Sequence, residues 1–312
     1  LALAGGVALN AVSVGYIIEK EIVDKVFVQP AASDSGGALG AAMAIAADKK
    51  TLNRDHVREN KDNMNNSFLG YCITNTESEK ILQHYKIAYS QKTREEIDLF
   101  IAEKIHEGKI IGLARGNMEY GARALGNRSI LANPSLENTQ EKLNKAVKKR
   151  ESFRPFAPAV LKEKQEDWFE YPYGSKYMTQ TCKIKKNKQY TNDVESENSN
   201  ENNEKLYVQK HLKDKRSDCP AVTHVDYSAR AQSVDKNNPM YNIISHYYKL
   251  SGYPMVVNTS FNLRGEPIVC TEEDAVRCFA SSEMDYLILA DYIIDKKNIE
   301  NSEIPLVEVK LD

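Results

Sequence analysis

Apolar positions fall in short blocks along this chain, and their spacing changes from block to block. Leu1–Ala4 is a short apolar run ending at Gly5-Gly6, and helical spacing follows at about Ala8–Glu19. A second run, Val26–Gln29, leads through Asp34-Ser-Gly-Gly-Ala-Leu-Gly40 into an alanine-rich helix reaching about Ala47. Strand, turn and helix twice over is the alternation of a buried α/β sheet. About 50 residues are too few to stand alone as such a domain.

Residues 48–68 are rich in Lys, Asn, Asp and Glu and predict a linker or surface excursion. Helical signals return at Glu77–His84 and at Arg94–His106, where Ile97, Phe100, Ile101 and Ile105 share a face. Gly108 ends that helix, and Ile110–Ala114 reads as a strand. Glu137–Lys149 predicts an amphipathic helix with Leu143 and Val147 as its apolar points, and Phe156–Leu161 predicts an extended segment. Ala221–Val225 is strand-like, Asn238–Ser251 helical, and Tyr253–Val257 a buried strand running into Asn258-Thr-Ser. Thr271 caps a helix whose first turn carries Glu272, Glu273 and Asp274 at the positive end of its dipole. Tyr286–Ala290 closes the series as a strand.

One stretch breaks the alternation. Residues 183–218 include Asn192–Asn203, a run of Asn, Glu, Ser and Asp broken by Val194, whose composition predicts a disordered insertion. The chain therefore divides into residues 1–50, a linker over 51–91, an α/β domain over 92–295 holding the insertion, and a tail over 296–312.

Composition narrows the function classes. With 312 residues, 41% hydrophobic and 28% charged, the chain suits a soluble globular protein. A net charge of -2 makes no electrostatic case for nucleic acid. No apolar run reaches membrane-spanning length, so no membrane partner and a cytoplasmic location are expected. The five cysteines, at 72, 182, 219, 270 and 278, have no C-x-x-C spacing, which argues against a zinc ribbon or a disulfide framework. Cys270 and Cys278 are expected to be buried structural thiols. The opening Leu-Ala-Leu-Ala-Gly-Gly lacks the basic start and long apolar core of a signal peptide. It reads as a strand entering a glycine turn, so the chain is expected to be the C-terminal part of a longer protein.

The chemistry centres on Asn117-Met-Glu-Tyr-Gly-Ala-Arg-Ala-Leu-Gly-Asn-Arg-Ser-Ile-Leu-Ala-Asn-Pro134, with two glycines, two arginines and three asparagines. Arg123 and Arg128 each offer a permanently charged fork of donors. Gly121 and Gly126 let a backbone approach a ligand closely. Residue types alone support two readings equally: an oxyanion site, or a surface loop whose arginines pair with carboxylates.

The wording of that segment resembles the signature of the O-carbamoyltransferases of the nodulation and antibiotic-tailoring type. Three further segments fit that family in order: Ser152-Phe-Arg-Pro-Phe-Ala-Pro-Ala-Val160, Thr223-His-Val-Asp-Tyr-Ser-Ala-Arg-Ala-Gln232 and Asn258-Thr-Ser-Phe-Asn-Leu-Arg-Gly-Glu-Pro267. A fifth, Gly5-Gly-Val-Ala-Leu-Asn10 with Asp34-Ser-Gly-Gly-Ala38, fits the end of the family's first domain. Two positions depart from the pattern: Ala122 stands for a usual proline, and Tyr227-Ser228 for a common Gly-Thr pair.

The resemblance implies the end of an actin/hexokinase-like domain, followed by an α/β domain similar to the threonylcarbamoyl-adenylate synthases (the YrdC-like fold) with a concave basic face. It implies that carbamoyl phosphate and ATP, with Mg2+, give carbamoyl-adenylate in the 92–295 domain, releasing phosphate and pyrophosphate. The upstream domain then moves the carbamoyl group to an acceptor hydroxyl. By residue, it implies Arg123, Arg128, Arg154 and Arg230 as phosphate holders, and Asn258 and Asn262 as carbamoyl or nucleotide contacts. Ser260, Arg264 and His224 are expected near the substrate, with Asp226 orienting His224 or pairing with Arg230. Gly5, Gly6 and Asn10 match the adenosine-contacting part, and Gly36 and Gly37 allow backbone approach to the same ligand. Asp34 matches a ligand of Fe2+ or another divalent metal, held in the family with upstream histidines absent from this chain. Lys148-Lys149-Arg150 reads as the cationic end of a helix. A homodimer is compatible with the sequence. Two alternatives stand beside this reading: a threonylcarbamoyl-adenylate enzyme of tRNA modification, using bicarbonate and threonine, and a non-catalytic nucleotide-binding or scaffold module.

Overall fold

The computed structural model describes residues 1–49, 51, 64–190, 215–299 and 304–307. The N-terminal segment pairs β1 (Ala2–Leu3) in parallel with β2 (Phe27–Val28), flanked by α1 (Ala11–Glu19) and α2 (Asp34–Asp48). After it come β3 (Phe68–Ile73), α3 (Asn75–His84), β4 (Ser90–Gln91), α4 (Arg94–His106), β5 (Ile111–Ala114), β6 (Gly116–Glu119) and β7 (Arg128–Ala132). Then follow α5 (Thr139–Ala146), β8 (Ala157–Leu161), β9 (Cys182–Lys183), β10 (Ser228–Ala229) and β11 (Gln232–Val234). The described series ends with α6 (Tyr241–Ser251), β12 (Met255–Ser260), α7 (Glu272–Ala280), β13 (Tyr286–Leu289) and β14 (Tyr292–Asp295).

Eight of these strands form one mixed sheet in the order β11-β8-β12-β7-β5-β13-β14-β4. The β11–β8 and β5–β13 pairs are parallel, and the other neighbours antiparallel. The strands are apolar on both sides, as a sheet covered on two faces requires. In β7, Ile130 and Ala132 face one apolar cluster and Leu131 the other; in β12, Val257 and Val256 divide in the same way. Ile97, Ile101 and Ile105 of α4 and Ile243, Ile244 and Tyr247 of α6 cover one face, all buried. Leu143 of α5 and Val276 and Phe279 of α7 cover the other. The result is a mixed α/β architecture around a large mixed sheet.

Local signals explain several boundaries. Thr93 and Thr271 each close a capping box, with Glu96 and Asp274 as partners. Gly252 ends α6 in the left-handed conformation. Ala221–Val225 is not a strand: Pro220 begins a 3-10 turn over Pro220–Val222, and Ala221 and Val222 are buried there as core residues. Within the stretch read as a linker, β3 pairs with β6 and β4 with β14. Residues 52–63 of that linker and the Asn192–Asn203 run lie outside the described residues. The flanks of the predicted insertion are ordered: β9 pairs with β10, and Gln189 bridges Ser217. Cys278 is buried as expected, whereas Cys270 is half-buried. No helix among the described residues is long and apolar enough to cross a membrane.

Arg128, at the start of β7, is fully buried. Its guanidinium donates to the carbonyls of Tyr71 (3.0 Å), Arg115 (3.0 Å), Gly116 (3.2 Å), Asn127 (2.9 Å) and Cys270 (3.1 and 3.2 Å). One side chain thereby ties β3, the β5–β6 corner and the loop before α7. Replacing it with methionine leaves those carbonyls without a donor. Arg128→Met is expected to cost about 3 kcal/mol or more of stability in urea denaturation; a loss below about 1 kcal/mol would contradict this assignment.

Candidate functional site

The connection from β6 to β7 carries the glycine- and arginine-rich segment, and a buried acid shapes it. Oε1 of Glu119 accepts from the backbone N–H groups of Leu125 (2.7 Å), Asn127 (2.8 Å) and Arg128 (3.2 Å). Three donors converging on one carboxylate oxygen hold the returning chain as it enters β7. Asn127 Nδ2 donates to the Asn117 carbonyl (2.8 Å), and Gln232 Nε2 to the Leu125 carbonyl (2.8 Å). Gly121 and Gly126 both take φ near +129°, against Ala31 and Met240 respectively. At Gly126 a Cβ would sit 2.8 Å from Met240 Cγ, so the loop needs glycine there for both conformation and space. Held this way, the loop presents Arg123, whose Nη2 donates to the Leu9 carbonyl at 3.0 Å.

Arg123 lines a cavity of about 490 Å3 together with Arg150, Arg154 and Arg230. Leu9–Val12 of the N-terminal segment form another wall, and Asn258–Ser260 at the end of β12 a third. No aspartate or glutamate among the described residues lines it. Burial pushes Arg230 down to about 10, and Arg123 and Arg150 push in the same direction. Arg150 is also pushed down to about 10, by burial and then by Arg154, while Glu151 opposes. At about 10, Arg150 and Arg230 both remain charged at neutral pH. Arg150 Nε donates to Asn144 Oδ1 (2.7 Å), and its guanidinium stacks over Phe156 at 5.1 Å from the ring centre. Arg154 reaches no acid closer than Glu151, at 3.9 Å.

A second lobe of about 260 Å3 shares Arg150, Arg154, Thr259 and Ser260 with the first and adds Lys148, Glu151, Asn262 and Arg264. Lys148 is 6% exposed. Its ammonium donates to the carbonyl and hydroxyl oxygens of Ser260 (2.5 and 3.2 Å) and to the carbonyl and Oδ1 of Asn262 (3.1 and 2.8 Å). Those partners are neutral, and burial pushes Lys148 down to about 7. Ser260 Oγ donates to Asn262 Oδ1 (2.6 Å), and Arg264 donates to the Lys149 carbonyl (3.2 Å).

On the opposite wall the chain turns back at His224. The His224 N–H donates to the Ser228 carbonyl (2.8 Å), with Tyr227 at φ 60° inside the turn. Ser228 Oγ donates to Asp226 Oδ1 (2.7 Å) and lies 3.0 Å from His224 Nδ1. Asp226 pairs with Lys183 (2.9 Å) rather than with Arg230, and reaches His224 only through Ser228. Burial holds His224 below the usual histidine value, with Asp226 opposing.

The structure thus brings Arg123, Arg154, Arg230, His224, Asn258, Ser260 and Asn10 to one cavity, with Asn262 and Arg264 in the adjoining lobe. Arg128 is not among them: it is buried and spends its donors on carbonyls, so it holds the loop rather than a phosphate. Gly5, Gly6, Gly36 and Gly37 do not line the cavity. Gly36 is needed for packing, because a Cβ there would sit 2.7 Å from the Ala31 carbonyl oxygen. Asn10 caps α1, accepting from the Ser13 N–H (3.1 Å). Asp34 lies exposed in the first turn of α2, and no group of three His, Cys, Asp or Glu able to hold a metal occurs among the described residues. Lys148 and Arg150 are the site residues that helix periodicity hides. The available signal was four cations within seven residues, ending at Arg154.

Comparison with known proteins places the chain in a family. Residues 102–296 match the family model described as carbamoyltransferase C-terminus, and residues 1–43 match carbamoyltransferase N-terminus. The chain is similar to the uncharacterized protein sll1178 of Synechocystis sp., 40% identical over 95% of this chain and 47% of that protein. It is 34% identical to the nodulation protein NolO of Bradyrhizobium diazoefficiens, over 95% of this chain and 49% of that protein. It is 28% identical to the 3'-hydroxymethylcephem-O-carbamoyltransferase of Amycolatopsis lactamdurans, over 93% and 48%. The chain spans about half the length of the curated relatives it matches. Since the C-terminal model alone covers more than half of its residues, this protein belongs to the carbamoyltransferase family.

Proposed function

We propose that this chain carries the adenylating site of an ATP-dependent O-carbamoyltransferase, with carbamoyl phosphate and ATP as substrates and an upstream part passing the carbamoyl group to a hydroxyl acceptor. On this reading the 92–295 region is the domain similar to threonylcarbamoyl-adenylate synthases, and residues 1–50 end an actin/hexokinase-like domain. The observation that carries it is the ring of Arg123, Arg150, Arg154 and Arg230 around a cavity whose wall holds no carboxylate among the described residues. Four neighbouring guanidiniums offset only by Glu151, 3.9 Å from Arg154, repel one another, and a polyanion relieves that repulsion. A carbamoyl phosphate and a triphosphate together supply such charge. The relatives, an O-carbamoyltransferase among them, support carbamoyl transfer as the overall reaction.

The balanced half-reaction consumes one water. Water divides carbamoyl phosphate into carbamate and phosphate, and a carbamate oxygen then displaces pyrophosphate from the α-phosphorus of ATP. Phosphate leaves in the first step and pyrophosphate in the second, so negative charge develops on oxygen twice. Fixed guanidiniums stabilise that charge without reorganising. Arg123 is held by the Leu9 carbonyl and Arg150 by Asn144 and Phe156, which gives the ring fixed members. Ser260 and Asn262, bound to Lys148, form the polar floor of the second lobe, where the polyphosphate extends. Mg2+ accompanies ATP; among the described residues Glu151, in the wall of the second lobe, is the carboxylate placed where the polyphosphate extends. Asp34 alone is no site for a resident metal.

Pyrophosphate release from ATP by the purified chain is expected to require carbamoyl phosphate. Release indifferent to carbamoyl phosphate, or dependent on bicarbonate and threonine, would contradict the reading. Arg154→Ala is expected to lower that release about 100-fold or more. Its side chain is 54% exposed, so stability should stay within about 0.5 kcal/mol of wild type; wild-type turnover in this variant would remove Arg154 from the site.

A second prediction follows from Lys148. With its pKa near 7 instead of 10.5, it is largely neutral at pH 8 and charged at pH 6. A polyphosphate beside it raises the pKa again, so ATP binding should take up protons at pH 8 and fewer at pH 6. Calorimetry in buffers of different ionisation enthalpy reads this directly. Lys148→Met should abolish the uptake, and equal uptake in that variant would count against the assignment.

A further inference from the structure

Three residues in the turn at the cavity wall form a directional chain of hydrogen bonds. A hydroxyl has a single proton, and Ser228 gives it to Asp226, whose ionised carboxylate can only accept. Ser228 Oγ is then left to accept from His224, 3.0 Å away, so Nδ1 of His224 carries a hydrogen. Its other ring nitrogen, Nε2, keeps a lone pair, and His224 lines the cavity of the four arginines. The arrangement is fixed on the other side by Lys183, which donates to Oδ2 of Asp226 at 2.9 Å.

Only one step of the proposed half-reaction releases a proton. Carbamate reaches the α-phosphorus of ATP already anionic, and pyrophosphate departs without needing a base. The water that divides carbamoyl phosphate must lose a proton. Among the described residues, the cavity wall contains four arginines but no aspartate, glutamate, lysine, cysteine or tyrosine. His224 is therefore the one described side chain of the wall able to bind and release a proton near neutral pH. Lys148 lies in the other lobe and already donates to four acceptor atoms.

Resting on the carbamoyl-adenylate reading, we propose that His224 is the base that deprotonates this water, and that Ser228 and Asp226 are positioning residues that fix its tautomer. Nε2 takes a proton as the water oxygen bonds to the carbonyl carbon. The bond from that carbon to the bridging oxygen breaks, and its electron pair leaves with phosphate. The carbon is left as carbamic acid, whose remaining proton passes to the departing phosphate, so that carbamate and hydrogen phosphate result, and the imidazolium returns its own proton to solvent. Asp226 stabilises that imidazolium through Ser228, while Arg230, Lys183 and burial disfavour it. The balance keeps the ring neutral, hence competent as a base, in the resting cavity at neutral pH.

Two routes to carbamoyl-adenylate test this on the full chain: carbamoyl phosphate with ATP, and carbamate, supplied as ammonium bicarbonate, with ATP. Carbamate bypasses the water step. His224→Gln is expected to lower pyrophosphate release by the first route on the order of 100-fold, and carbamate should restore release to near the wild-type rate. Asp226→Asn removes the acid that raises the His224 pKa. The acid limb of the first route should then move to lower pH, and the carbamate route should show no such shift. Equal loss by both routes in His224→Gln, or loss by neither, overturns the proposal while leaving the carbamoyl-adenylate reading intact. Wild-type protein that releases no pyrophosphate by either route overturns both.

Discussion

A single buried carboxylate organises the centre of this molecule. Glu119 gathers three backbone N–H groups across the β6–β7 connection. That connection is where the chain must leave a strand, pass a ligand-sized space and return to the sheet. Without an acceptor at Glu119, these amides would be buried and unsatisfied. Arg128 completes the lock from the far side by donating to carbonyls of the adjoining elements. With both ends held, Arg123 in the middle is free to face the cavity. The same loop touches the N-terminal segment, through Gly121 against Ala31 and through the Tyr120 hydroxyl, which donates to the Ser35 carbonyl. Positioning of the cation ring and docking of that segment are thus one event. Thr181 reinforces it: its N–H donates to the Ala11 carbonyl (3.0 Å), and Gly15 gives it room.

Much of the sheet was legible in the sequence because its strands are short apolar runs bounded by glycine, proline and caps. Thr271 and the acidic turn after it mark the start of α7 correctly, since a cap depends only on neighbouring residues. Side chains whose role depends on distant partners were not legible. Arg123 and Arg128 are five residues apart in one motif, yet one lines the cavity and the other is sealed in the core. Nothing local separates them: the difference is that Tyr71 and Cys270 bring carbonyls to Arg128 from far along the chain. Lys148 is hidden for a similar reason. Its sequence neighbours suggest a solvated helix end, but α5 stops at Ala146 and the lysine folds under β12 onto Ser260 and Asn262. The resemblance to carbamoyltransferases pointed to these residues, and the geometry divides them between holding the loop and lining the cavity.

The charge distribution has an energetic consequence. Buried or half-buried cations that share a cavity without acids destabilise the unliganded fold. Burial and mutual repulsion lower the proton affinity of Arg150 and Arg230. Lys148 shows the same pressure more strongly, because a lysine can release its proton near neutral pH where an arginine cannot. Natural folds retain such arrangements where a ligand offsets them, as a tight anion would here. The acidic groups nearest the site, Asp226 and Glu151, are engaged by Lys183 and, loosely, by Arg154, which leaves the cavity itself positive.

The central claim is that the four arginines form one anion-binding cavity. The most direct measurement is a crystal structure of the chain with phosphonoacetamide, a hydrolysis-resistant analogue of carbamoyl phosphate. The account predicts its phosphonate within hydrogen-bonding distance of at least two of Arg123, Arg150, Arg154 and Arg230. Binding elsewhere, with these guanidiniums untouched at saturating ligand, would contradict it.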